Sequence, residues 1–270
     1  MTHRSWWKTP LAVVLTAIML FPIYWMMNVS FTRRDSIRRG QVIPRDFTLD
    51  HYSVVLHEQL PYLATSVCIG LGVVLLTLLV ATPAAFALAK LQLPGRGALS
   101  FALIVAQMVP AVVMALGFYS IYNRLGLLNS IPGLILADST LAVPFAVMLL
   151  TSFMVGIPLE LLQAAELDGA STWRTFRSIV LPVSRNALVT SALFAFLWAW
   201  SDFLFASTLN RGGGDLRPIT MGIYNYIGAQ NQEWGPMMAT AVVASIPAAA
   251  LLVVAQKYIA AGVTAGAVKD

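Results

Sequence analysis

The residues best able to do chemistry are sparse, and their spacing is poor for catalysis. The histidines are His3, His51 and His57. His57 and Glu58 would open a zinc-hydrolase signature, but Pro61 stands where the second metal-binding histidine is needed. Cys68 is the one cysteine of the chain and lies inside an apolar run, which excludes an internal disulfide. No glycine precedes a lysine anywhere, so there is no phosphate-cradling loop, and no Gly-x-Ser-x-Gly elbow offers a nucleophile. What remains are carboxylates in apolar surroundings. Asp202 interrupts the run from Asn186 to Asn210, and Asp138 begins another. A carboxylate at membrane depth costs roughly 2.5–3.5 kcal/mol on insertion scales, so each needs a cavity or a partner. Phe194, Trp198, Asp202 and Phe205 follow helical spacing, and aromatic faces beside a carboxylate suit a sugar-lined path. The same spacing suits plain packing, with Asp202 wetted at a helix end. Gln107 and Pro110 mark a kink rather than a ligand site.

The elements that must position these groups are membrane spans. Only 11% of the 270 residues are charged and 58% are hydrophobic, too little charge to coat a soluble particle. Charge-free runs extend from Thr9 to Thr32, Gln59 to Ala89, Gly97 to Asn123, Ser139 to Leu159 and Trp234 to Gln256. A spanning helix needs about 20 apolar residues, and unbroken apolar runs exclude the alternation of a β-barrel. The expectation is an all-α polytopic membrane protein with six spans, near 11–31, 63–89, 98–121, 133–156, 187–209 and 237–258. The first run reads as an uncut anchor, because Trp25, Met26, Met27 and Asn28 follow it in place of a small-residue cleavage site.

Charge sets the orientation only weakly. With the N-terminus inside, nine Lys and Arg residues are cytoplasmic and eight external, five of them (Arg33, Arg34, Arg38, Arg39, Arg45) in the first outer loop. Without that loop the positive-inside rule favours N-in and C-in. The net charge of +5 is spread along membrane-flanking loops, which argues for topology and not for nucleic acid. None of the loops is long enough to fold alone, so residues 1–270 read as a single transmembrane domain.

The loop at 157–185 carries the most specific pattern. Pro158 suits a first helical turn, Glu160 and Glu166 precede Gly169, and Arg174, Arg177 and Arg185 follow it. Two short amphipathic helices meeting at a glycine corner fit this order. An interfacial helix lying in the headgroups fits the pattern as well.

These residues resemble the EAA loop of binding-protein-dependent ABC importer permeases. Ala164, Ala165, Gly169, Ile179, Leu181 and Pro182 fall at the spacing of that motif, and Asp168-Gly169-Ala170 adds its usual Asp-Gly-Ala. Gln163 departs from it, standing where the motif has Glu. The ending Gly262-Val263-Thr264-Ala265-Gly266-Ala267-Val268-Lys269-Asp270 and the outer-loop stretch Ile43 to Tyr52 look like those of the carbohydrate class, of the maltose-permease (MalG-like) type.

The resemblance covers essentially the whole chain and implies a type I ABC importer permease fold in a bacterial or archaeal cytoplasmic membrane, with 157–185 as a cytoplasmic coupling loop. It implies a non-catalytic subunit that binds no cofactor itself. ATP and Mg²⁺ are used by two cytoplasmic ATPase subunits; a second permease, a solute-binding protein and a sugar complete the system. Gln163, Ala164, Ala165, Glu166, Asp168, Gly169 and Ala170 would contact the ATPase, and Gly212, Gly213 and Gly214 the binding protein. Trp198, Asp202 and Asp138 are candidates for the path. Permeases for polyamine or glycerol phosphate are the nearest rivals; a secondary transporter would not need the motif-bearing loop, and an intramembrane enzyme lacks a catalytic set.

Overall fold

The structure is a computed structural model that describes residues 7–212, 214–227 and 233–267, with backbone alone for Asp215 and 258–267. It is helical throughout its regular elements. In order they are α1 (Lys8–Ser30), α2 (Arg34–Ile37), α3 (Asp50–Glu58), α4 (Leu60–Lys90), α5 (Arg96–Gln107), α6 (Ala111–Leu125) and α7 (Ile131–Val155). There follow α8 (Leu159–Leu167), α9 (Thr172–Thr175), a π turn (Phe176–Val180), α10 (Leu181–Val183), α11 (Arg185–Ser201), α12 (Leu204–Leu209), α13 (Ile219–Tyr224) and α14 (Trp234–Ala267).

Four of these, α1, α4, α7 and α14, are each long and apolar enough to cross a membrane, and two bent pairs bring the number to six if each pair is one span. The expected third span, 98–121, is therefore broken. α5 and α6 meet at 92°, because Pro110 supplies no N–H and pushes Val109 out of the helical region. The kink expected at Gln107 and Pro110 is there, and is a full corner. The expected fifth span, 187–209, is shifted: the second bent pair is Thr172–Val183 with Arg185–Ser201, bent by 76°. α11 ends at Ser201, where Asp202 is extended at φ −63°, ψ 128° before α12 begins.

The chain falls into two compact units, Met1–Leu60 with Gly222–Ile246, and Pro61–Met221 with Pro247–Asp270. In the first, the end of α1 is closed by an antiparallel bridge between Thr32 and Phe47. Phe31 stacks on Phe47 at 5.2 Å and lies 5.0 Å from Tyr52. Tyr226 donates to Glu58 (3.2 Å) and accepts from Gln59 (3.1 Å). Burial pushes its phenol above the ordinary value, the Gln59 bond opposing the shift.

The second unit is held by small residues on α4, α7 and α11. Ala81, Ala85, Ala137, Ala146, Ala187 and Ala195 are all buried. Without a hydrophobic driving force between helices in lipid, association depends on such close backbone approach. α7 starts cleanly because the Ser130 hydroxyl accepts from the Gly133 N–H at 3.1 Å, with Pro132 in the first turn. Gly70 on α4 shows how tight the approach is: a Cβ there would lie 2.7 Å from the ring edge of Phe196 on α11. Gly70→Ala should therefore cost about 1–3 kcal/mol of stability by overpacking, read as a lower denaturation midpoint in detergent. Phe196→Leu in the same chain should recover part of the loss; a midpoint unchanged by Gly70→Ala alone would contradict this packing.

Candidate functional site

The loop after α7 folds into the helix–corner–helix that its sequence suggests. Pro158 stands just before α8. α8 closes on Gly169, whose φ of +78° is a left-handed conformation that glycine adopts without strain. Two backbone bonds lock the corner, Gly169 N–H to Glu166 O and Ala170 N–H to Ala165 O, both 2.9 Å. Ser171 then caps α9 by accepting from the Arg174 N–H at 3.3 Å. So the chain reverses with its exposed backbone groups satisfied, as a preformed corner.

Its side chains divide into two sets. Ala165 is buried beneath the corner, and Ala170 is half-buried. Gln163, Ala164, Glu166, Asp168 and Gly169 are exposed. Leu167, at the tip, is 90% exposed, and Trp173 stands out beside it.

Sequence reading missed what ties this corner to the membrane helices. Phe176 opens the π turn and is 5% exposed, its ring 5.1 Å from Phe86 of α4 and 5.4 Å from Trp173. Phe176 and Val180 belong to one cluster with Ala81 and Phe86 of α4 and Leu150 and Met154 of α7. Lys90, the last residue of α4, donates to the carbonyls of Ile157 and Val155, the latter at 3.2 Å, which suits a cation at the carboxyl end of α7. Aromatic residues near a cationic loop could have hinted at this; their partners, some 90 residues away in sequence, could not be read.

Of the path candidates, Asp138 and Asp202 are near enough for their charges to interact, whereas Trp198 stands apart. Trp198, half exposed, lines a cavity of about 230 Å³ with Gln107, Leu141, Phe145 and Phe194. Gln107 lies in that lining, with its amide donating to Leu103 O (3.3 Å) and Met148 Sδ (3.1 Å). Asp202 is elsewhere. Its carboxylate caps α12, accepting from the N–H groups of Phe205 (3.1 Å) and Ala206 (2.9 Å), and its carbonyl accepts from Thr220 at 2.7 Å. The stripe expected through Phe194, Trp198, Asp202 and Phe205 is thus split by the break: Phe205 turns into the core, while Phe194 and Trp198 stay exposed. Asp138 is 1% exposed within α7, and its Oδ1 has no hydrogen-bond partner among the described residues.

The glycine loop has a pinned base. Asn129 sits at φ +55°, and its Oδ1 accepts from the Gly212 N–H at 2.8 Å while its own N–H reaches Leu209 O at 2.9 Å. A Cβ on Gly212 would press on that amide at 3.2 Å. Gly214, at φ +56°, accepts from Arg217 Nε at 2.9 Å, and Arg217 also bonds the Tyr62 hydroxyl at 3.1 Å. Gly213 lies outside the described residues. Among the described residues no group of three or more His, Cys, Asp or Glu side chains could hold a metal ion.

A family model described as "Binding-protein-dependent transport system inner membrane component" matches residues 78–265. The chain is 31% identical to the trehalose transport system permease protein SugB of Mycobacterium tuberculosis, over 99% of this chain and 98% of that one. It is 30% identical to the trehalose/maltose transport system permease protein MalG of Thermococcus litoralis, over 96% and 94%. It is 29% identical to the diacetylchitobiose uptake system permease protein DasC of Streptomyces coelicolor, over 97% and 96%. Its fold matches a chain from the crystal structure of a bacterial ABC transporter involved in the import of the acidic polysaccharide alginate, with a TM-score of 0.78 at 21% identity over 93% and 94%.

Phe176 gives the sharpest test of the site's construction. Phe176→Ala should cost about 3–5 kcal/mol by opening a cavity between the corner and α4. Limited proteolysis within 157–185 should accelerate, whereas Trp173→Ala, which removes an exposed ring, should leave the corner protected. Equal protection of both variants would show that Phe176 does not anchor the loop.

Proposed function

The chain belongs to the family of binding-protein-dependent transport system inner membrane components, and on that footing we propose that it is the permease subunit of an ATP-driven sugar importer. In this reading it forms half of a translocation path for a mono-, di- or oligosaccharide with a second, homologous permease. Two cytoplasmic ATPase subunits hydrolyse the ATP with Mg²⁺, and an extracytoplasmic solute-binding protein delivers the sugar. The membrane is the cytoplasmic membrane of a bacterium or archaeon, with both termini and the loop at 157–185 inside. The names of the relatives, which transport trehalose, maltose and diacetylchitobiose, support a saccharide over a polyamine or glycerol phosphate.

The observation that carries the coupling role is the preformed corner at Gly169, exposed at Leu167 and anchored through Phe176. Seated in a groove on the ATPase by Gln163, Ala164, Glu166, Asp168 and Gly169, with Ala165 and Ala170 beneath, it moves when the ATPase dimer closes or opens. Because Phe176 and Val180 pack on α4 and α7, displacement of the corner acts on those helices as on a rigid lever. Alternating access then follows from differential contacts in two global states. On the outer side, Gly212, Gly213 and Gly214 meet the docked binding protein, and Asn129 sets the loop from which they project. Trp198 lines the sugar path, while Asp202 and Asp138 lie apart from that cavity, the one capping α12 and the other buried in α7.

Three expected outcomes test this reading in liposomes holding the complete complex. Uptake of a labelled sugar from a saccharide panel should require both ATP and binding protein; movement of a polyamine alone would overturn the cargo assignment. Gly169→Pro removes the corner's N–H and its positive φ, so transport should fall about tenfold or more, within the usual span of coupling energies, while ATP hydrolysis continues. Replacing Gly212, Gly213 and Gly214 by Val should abolish stimulation of ATPase activity by the binding protein and spare basal activity. Wild-type stimulation in that variant would remove the loop from the docking site.

A further inference from the structure

The first loop carries a surface that transport leaves unexplained. Five arginines (Arg33, Arg34, Arg38, Arg39, Arg45) face two carboxylates (Asp35, Asp46) between residues 33 and 46. Arg34 pairs with Glu233 at 3.3 Å. Among the described residues no ion pair engages Arg33, Arg38, Arg39 or Arg45, and all four are exposed.

The same loop is closed by hydrogen bonds and folds back along α1. Its base is the Thr32–Phe47 bridge, closed by Arg33 N–H to Asp46 O at 3.0 Å and Thr48 N–H to Phe31 O at 2.9 Å. Ser36 donates to the Asp46 carboxylate inside it. Beyond the base the chain descends. The Asn28 amide donates to Gln41 O at 2.7 Å and to Val42 O at 3.1 Å, and the Tyr24 hydroxyl donates to Val42 O. Tyr24 lies six residues back from the end of α1 at Ser30, about 9 Å along the helix axis. α1 is long and apolar enough to cross a membrane, so this direction leads into the bilayer. Tyr24 and Trp25 are amphipathic rings of the kind enriched at the headgroup level. At that level the loop presents Val42, 62% exposed, and Ile43, 71% exposed.

We infer that residues 38–45 form a lipid-binding tip: Val42 and Ile43 enter the interfacial layer beside α1, and Arg38, Arg39 and Arg45 engage the phosphates of anionic phospholipid headgroups. The hydrogen bonds from Tyr24 and Asn28 set the depth, and the unpaired arginines supply the charge complementarity. This also accounts for an arginine-rich loop on the side where the positive-inside rule expects few: its charges are held at the lipid phosphates of that leaflet. The inference rests on α1 crossing the membrane and not on the cargo.

The test uses the complete complex in nanodiscs of phosphatidylcholine with phosphatidylglycerol. A nitroxide on Ile43→Cys, in a Cys68→Ser background, should be relaxed more by oxygen than by a water-soluble nickel chelate; a label on Asp35→Cys should show the reverse. Spin-labelled phosphatidylglycerol should be immobilised about twofold more than phosphatidylcholine, and the combined Arg38→Gln, Arg39→Gln, Arg45→Gln variant should lose that preference. Arg45→Gln alone should lose part of it, which keeps the test open if the triple variant fails to insert. Nickel access at Ile43 equal to that at Asp35 would place the tip in water. Exclusion of both reagents would mean that a protein partner covers it, and an unchanged lipid preference would remove the arginines from the headgroups; each overturns the inference.

Discussion

In hydrocarbon no water is at hand to satisfy a free backbone amide or carbonyl, so each place where a spanning helix stops must supply its own partner. That constraint organises this molecule. α11 stops at Ser201, and the carboxylate of Asp202 takes the free N–H groups that open α12. α7 begins on the Ser130 hydroxyl, and its last carbonyls are met by Lys90. The corner at Gly169 closes two carbonyls of α8 onto the N–H groups that follow. At these breaks, polar residues that look functional by type, Asp202 among them, serve the backbone by position.

The second determinant is close approach. Leucine-rich surfaces gain nothing by leaving lipid, and at the contacts of α4, α7 and α11 alanine and glycine make room for larger side chains such as Phe196 and Ile135. Such an interface is stiff and specific in register. A cluster running from Ala81 and Phe86 through Leu150 and Met154 to Phe176 and Val180 joins the corner to two long helices. In the proposed coupling, a displacement of the corner would act on those helices through this cluster.

The two sides of the protein solve different problems. At the corner, an exposed Leu167 stands on a locked backbone, which would lower the ordering cost of the proposed docking. At the glycine loop, Asn129 uses its tolerance of positive φ and its amide oxygen together, fixing the base of a segment whose glycines leave room for close approach.

How much could be read in advance follows from these distances in sequence. The spans, the corner at Gly169, the kink at Pro110 and the family resemblance at 157–185 were legible because each depends on local rules: apolar length, missing N–H groups, positive φ. Asp202 misled for a related reason. Its neighbours keep helical spacing, but a carboxylate that can cap a following turn competes with continuing the helix, and only the fold shows that the cap wins. The ring of Phe176 against Phe86, the reach of Lys90 to Ile157 and the clasp of Asn129 on Gly212 join residues 67 to 90 positions apart. No periodicity encodes such pairs. Sequence by itself determined where this chain enters and leaves lipid and where its backbone must turn, since the bilayer and the peptide unit impose those limits locally. Tertiary structure alone decided which helices carry the corner, because close packing depends on side chains that meet only after the chain has folded.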